Sequence, residues 1–128
     1  YDPETHLKMG QALAPLRDEG ILILGSGLSY HNLRNFGPGA KDVSKKFDQW
    51  LQETLTSSAP ERRRARLLDW ENAPAARAAH PQEDHLIPLM VALGAAIDET
   101  GEMIYHEDDF MGGLSVSSFR FGQPRPLA

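Results

Sequence analysis

Apolar residues fall at helical spacing in the first part of the chain and then run together. Leu7, Met9, Ala12, Leu13 and Leu16 repeat as one helix face does. That spacing predicts a helix over residues 4–18, with Asp2 or Thr5 as its cap and Gly20 as its stop. Ile21 to Leu24 are four consecutive aliphatics, a pattern that suits a strand buried on both faces of an α/β sheet. Gly25-Ser26-Gly27 would form the turn at the carboxyl end of that strand, where open α/β sheets bind ligands. Residues 33–40 read as a loop. Helical periodicity returns over 41–56 and 60–70, divided by Ser57-Ser58-Ala59-Pro60. Phe47, Trp50, Leu51, Leu55, Leu67, Leu68 and Trp70 are the predicted core positions.

Ala73 to Ala79 predicts a short helix ending at His80-Pro81, because the residue before a proline avoids the α region. An apolar run from Leu86 to Ala96 follows. Pro88 fits the first turn of a helix that begins near Leu86, with His85 at its N-terminal end. A start at Pro81 would place Pro88 inside the helix and cost a hydrogen bond. Strands are predicted around 102–108 and 114–121; the second alternates only in part. Gln123 to Ala128, with two prolines, reads as a loose tail.

Composition narrows the partners. The 128 residues amount to one domain with enough chain for a core. A net charge of -5 argues against nucleic acid, which needs a basic face. The basic cluster Glu61-Arg62-Arg63-Arg64-Ala65-Arg66 reads as a solvated helix face rather than an anion site. The absence of cysteine excludes disulfides and thiolate metal sites and fits a reducing compartment. No apolar run reaches the roughly 18 residues needed to span a bilayer, and no signal-peptide pattern opens the chain. The expectation is a soluble, cytoplasmic protein with neither nucleic acid nor membrane as a partner.

The candidate chemistry lies in two places. His80-Pro81-Gln82-Glu83-Asp84-His85 sets two imidazoles around two carboxylates at the mouth of a segment that must be buried. The partial positive charge of a helix N-terminus favours a neutral, metal-competent ring at His85. Glu83 or Asp84 would hold its other nitrogen. His80 and His85 are five positions apart, unlike the four-residue spacing of helical metalloproteases. His31 follows the buried aliphatics and the glycine turn; position alone leaves open whether it is a satisfied ring or a functional one. Gly25-Ser26-Gly27 is weak as an anion cradle. Ser26 as a nucleophile with His31 as base lacks the Gly-x-Ser-x-Gly elbow. His6 and His106 read as exposed bystanders.

Gly25-Ser-Gly-Leu-Ser-Tyr-His31-Asn-Leu-Arg34 and His80-Pro-Gln-Glu-Asp-His85-Leu-Ile-Pro-Leu-Met-Val-Ala-Leu-Gly94-Ala-Ala96 resemble the 4,5-DOPA extradiol dioxygenases, among the class III aromatic ring-opening dioxygenases. Gly112-Gly-Leu-Ser-Val-Ser-Ser-Phe-Arg-Phe-Gly122 resembles that family's closing strand. The likeness covers nearly the whole chain, in the family's order.

The resemblance implies an α/β fold, a mixed sheet flanked by helices, with residues 1–128 as the C-terminal half of one catalytic domain. Tyr1-Asp2-Pro3-Glu4 then reads as an interior boundary. It implies cleavage of a catechol such as DOPA with O2, dependent on Fe(II), with Zn(II) as an alternative occupant. His85 falls on the family's late metal ligand, while His80 opens the motif without being a ligand. His31 falls on the acid/base that moves catechol protons, and counts as a ligand where zinc fills an empty site. Two further ligand histidines belong to the missing half. A non-catalytic binding protein, a zinc-dependent hydrolase and an inactive fragment stay open as alternatives, as does the oligomeric state.

Overall fold

The computed structural model describes residues 1–123, so the predicted loose tail lies outside the described residues except for Gln123. Asp2 has extended backbone and accepts the Glu4 and Thr5 amides, starting α1, Pro3–Leu13. Pro15 cannot donate to an α-helical ladder, and the chain tightens into a 3-10 turn, Ala14–Glu19, that Gly20 closes at φ 77°. The single helix expected over 4–18 is therefore two elements. Its predicted face also divides, with Leu7 buried but Met9 and Leu13 exposed.

Four more α-helices follow among the described residues: α2 Lys41–Thr56, α3 Pro60–Leu68, α4 Ala76–Ala79 and α5 Ile87–Gly94. Pro88 occupies the first turn of α5, as its sequence predicts. Phe47, Leu51 and Leu55 of α2 form one core with Leu67, Trp70, Leu86, Met90, Leu93 and Leu114. Leu68, expected in that core, packs at its edge. α1 meets α5 at backbone contact distance. A Cβ on Gly10 would fall 2.0 Å from the Val91 carbonyl oxygen, and one on Gly94 would fall 2.1 Å from that of Leu7.

β1, Gly101–Phe110, and β2, Leu114–Phe121, form an antiparallel hairpin that pairs His106 with Ser117 and Phe110 with Leu114. Its turn places Met111 and Gly112 at positive φ. α2 lies beneath it and supplies polar partners. Ser44 Oγ accepts the Ser115 amide at 3.0 Å, and the buried Asp48 carboxylate accepts the Ser117 hydroxyl at 2.7 Å. The class is α/β as expected, with the described sheet limited to this hairpin.

Two expectations are corrected. Ile21 to Leu24 joins no sheet among the described residues, and Leu22 and Leu24 are 81% and 80% exposed. A strand needs a neighbouring edge, and the hairpin pairs only with itself. Arg63 is not on a solvated face but buried, its Nη2 donating to the carbonyls of Ile97 at 2.8 Å and Glu99 at 2.7 Å. A guanidinium can cap the carbonyls that follow a short helix, which outweighs its tendency to stay in water. Among the described residues no helix is long and apolar enough to cross a membrane.

The α1–α5 crossing yields a test. Helix propensity alone favours Ala over Gly by about 1 kcal/mol. Gly94→Ala is nevertheless expected to destabilise, by about 1–3 kcal/mol, because the added methyl meets the backbone of α1. Urea unfolding of the variant measures this, and a stabilised variant would show that the helices do not touch at this point.

Candidate functional site

Residues 28–32 are strapped to the segment that carries the second motif. The Leu28 amide donates to the His85 carbonyl at 3.2 Å and the His31 amide to that of Ala79 at 2.9 Å. Asn32 Nδ2 donates to the Ala78 carbonyl at 2.8 Å. Tyr30 turns inward, is 1% exposed, and donates its hydroxyl to the Asn35 carbonyl, while His31 is half-buried at the surface. Gly25 and Gly27 let the strap come close: a Cβ would fall 2.5 Å from the Pro88 carbonyl oxygen and 2.2 Å from that of His85. The two glycines thus serve backbone approach, which displaces the anion-cradle reading.

This brings His31 and His85 together. Their rings stack with centroids 3.6 Å apart and planes 17° apart. Asp84 Oδ2 lies 3.5 Å from His85 Nε2. One ligand atom each from His31, Asp84 and His85 lies within 4.8 Å of the others. Two imidazoles and a carboxylate are a donor set suited to Fe(II) or Zn(II). An imidazole binds a metal in its own plane, and two stacked, nearly parallel planes offer one ion no common in-plane position. As placed, His85 can pair with Asp84 in holding an ion while His31 stands beside them.

Glu83 is engaged elsewhere. Arg77 Nη1 donates to its carboxylate at 3.0 Å. Asp84, not Glu83, is therefore the carboxylate beside His85. His80 lies fully buried between Phe47 and Trp70 and hydrogen-bonds the Ser29 carbonyl through Nε2 at 2.8 Å. Burial keeps it well below the ordinary imidazole value, at about 4. His6 contacts the Asp2 carbonyl near the surface. His106 is half-buried rather than exposed: its ring nitrogens lie 2.9 Å from Ser117 Oγ and from Asp108 Oδ1, with Asp48 at 3.3 Å.

The family model described as the catalytic LigB subunit of aromatic ring-opening dioxygenase matches residues 1–120. The chain belongs to the aromatic ring-opening dioxygenase family. A 4,5-DOPA dioxygenase extradiol from Beta vulgaris is 38% identical over 124 residues, covering 94% of this chain and 45% of that protein. One from Escherichia coli K12 is 31% identical, covering 91% and 44%. A crystal structure of an uncharacterized protein from Escherichia coli K12 superposes with a TM-score of 0.76 at 28% identity, covering 94% of this chain and 51% of that one. The chain thus spans about half the length of these relatives and carries the C-terminal half of the ring-opening dioxygenase fold. The family is metal-dependent, which accords with the donor set at His85.

His80 makes stability depend on pH. An unfolded imidazole takes up its proton near pH 6.5, and the folded one only near pH 4. The contribution is therefore full above about pH 6.5 and is lost as pH falls toward 4, amounting to about 3 kcal/mol. The urea midpoint of the wild type is expected to drop between pH 7 and 4.5. His80→Gln, which has nothing to titrate there, should drop less, and equal drops would place the acid sensitivity elsewhere.

Proposed function

We propose that this chain is the acid/base-bearing portion of an extradiol dioxygenase that opens the ring of a catechol, DOPA being the substrate named for its relatives. Residues 1–128 form the C-terminal part of a single catalytic domain. The observation that carries the reading is the stack of His31 on His85 with Asp84 at its edge. It separates one imidazole able to ligate an ion from a second free to act on what that ion binds.

His85 would hold Fe(II) together with ligands from the rest of the protein, with Zn(II) as the alternative occupant. When bound, the ion would supply Lewis acidity toward the catechol and electron transfer to dioxygen. Asp84, beside the His85 ring, orients it or shares the ion. His31 accepts a hydroxyl proton from the catechol and returns a proton as the ring opens. A groove of about 670 Å³ runs from His85 along Leu89, Ile104 and Phe119 to Leu22 and Leu24. Covering this apolar groove by the remainder of the domain would keep water from the reacting ring.

In the full-length protein the two histidines should fail differently. His85→Ala is expected to lose bound iron and turnover together. His31→Ala should retain iron and catechol binding while single turnover slows by about 10²–10⁴-fold. Metal content and stopped-flow rates on both variants make the comparison. Loss of iron from His31→Ala as complete as from His85→Ala would make His31 a ligand instead, and full activity in both would end the dioxygenase reading.

A further inference from the structure

His80 lies outside the metal-competent cluster and is fully buried, yet it spends a polar ring on the core. Its Nε2 lies 2.8 Å from a carbonyl oxygen, that of Ser29, which can only accept. The proton therefore resides on Nε2, and Nδ1 is a bare acceptor with no hydrogen-bond partner among the described residues. A buried acceptor without a partner costs about 1–3 kcal/mol. Leu or Phe, packed between Phe47 and Trp70, would avoid that cost, so packing alone does not account for a histidine here.

The residue it grips does. Ser29 is held from both sides, its carbonyl by His80 and its hydroxyl by the Ser117 amide at 3.1 Å. Two residues on, the His31 amide is tied to the Ala79 carbonyl, immediately before His80. His80 and the backbone next to it thus fix both ends of the three-residue stretch from Ser29 to His31. With Tyr30 locked inward, the direction of the His31 Cα–Cβ bond has little freedom left.

We propose that His80 is a positioning residue that sets the orientation of the His31 ring over His85 through its hydrogen bond to the Ser29 carbonyl. The proposal rests on the acid/base reading of His31 for its effect on turnover, but not for its effect on ring geometry. Misplacing a reacting group by about 1 Å costs up to about 10²-fold in rate.

The experiment compares His80→Leu, His80→Gln and His80→Asn in the full-length protein by long-range 15N–1H NMR of the His31 ring and by kcat and KM. Gln carries its amide N–H near the position of Nε2; Asn carries it near Nδ1. With His80→Leu the His31 ring signals are expected to shift and kcat to fall by about 10–100-fold, with KM changed less than about threefold. His80→Gln should restore both. Should His80→Leu not fold, the Gln variant is expected to keep wild-type His31 signals and the Asn variant to lose them. Unmoved His31 signals in a folded Leu variant, or equal behaviour of Gln and Asn, would overturn the proposal. A wild-type protein without ring-cleaving activity would end the functional reading, and the NMR comparison would still decide the positioning.

Discussion

How closely residues 25–28 can lie against the first turn of α5 governs the candidate site. The Pro88 carbonyl of that turn and the His85 carbonyl just before it face the strap, and a side chain at position 25 or 27 would collide with them. Bare backbone at both positions lets the Leu28 amide reach the His85 carbonyl. Once that bond exists, the next residues have little choice. They run along the 78–80 segment, accept its pairing and deliver His31 onto the His85 ring. The same device recurs on the other side of α5, where Gly94 faces Gly10. α5 is therefore held by close backbone contacts as well as by the core packing of Met90 and Leu93, which leaves its position little slack.

Several of the buried polar groups sit where elements join. Ser44 and Asp48 answer the hairpin, Arg63 answers the two carbonyls after α5, and His80 answers the strap before His31. Each replaces water for a backbone or side-chain group that the local structure cannot satisfy, at a site where an unpaired group would cost about 1–3 kcal/mol. Arg17 adds a second guanidinium at the end of α5, bonded to Glu99 and to the Ala95 carbonyl. The apolar core supplies cohesion, and these groups decide which element meets which.

Local pattern carried much of the fold. α2 and α3 follow from periodicity, α5 from its apolar run, with Pro88 locating its start because its ring tolerates only the first turn. Pro15 announced the break after α1, a signal the helical spacing of the leucines overrode. Ile21 to Leu24 was misread because a strand exists only with a partner, and four aliphatics in a row specify burial without saying against what. Arg63 was misread because charge runs usually face water, and nothing local reveals the carbonyls of Ile97 and Glu99 waiting nearby. At the site, His31 and His85 stood out by position and by resemblance. Their stacking, and the choice of Asp84 over Glu83, depend on tertiary contacts that neither motif contains.

The contact between α2 and the hairpin has a consequence for recombination among related sequences. Side chains alternate along β2, so a one-residue slip would turn Ser117 away from Asp48 and bring the wrong residue to face it. The register of the hairpin is thus written partly in a helix that ends nearly fifty positions earlier. A β1–β2 segment borrowed from another sequence would need Ser44, Asp48 and Gln52, or their equivalents, to travel with it. Segments that look modular along the chain are joined in inheritance by one buried carboxylate.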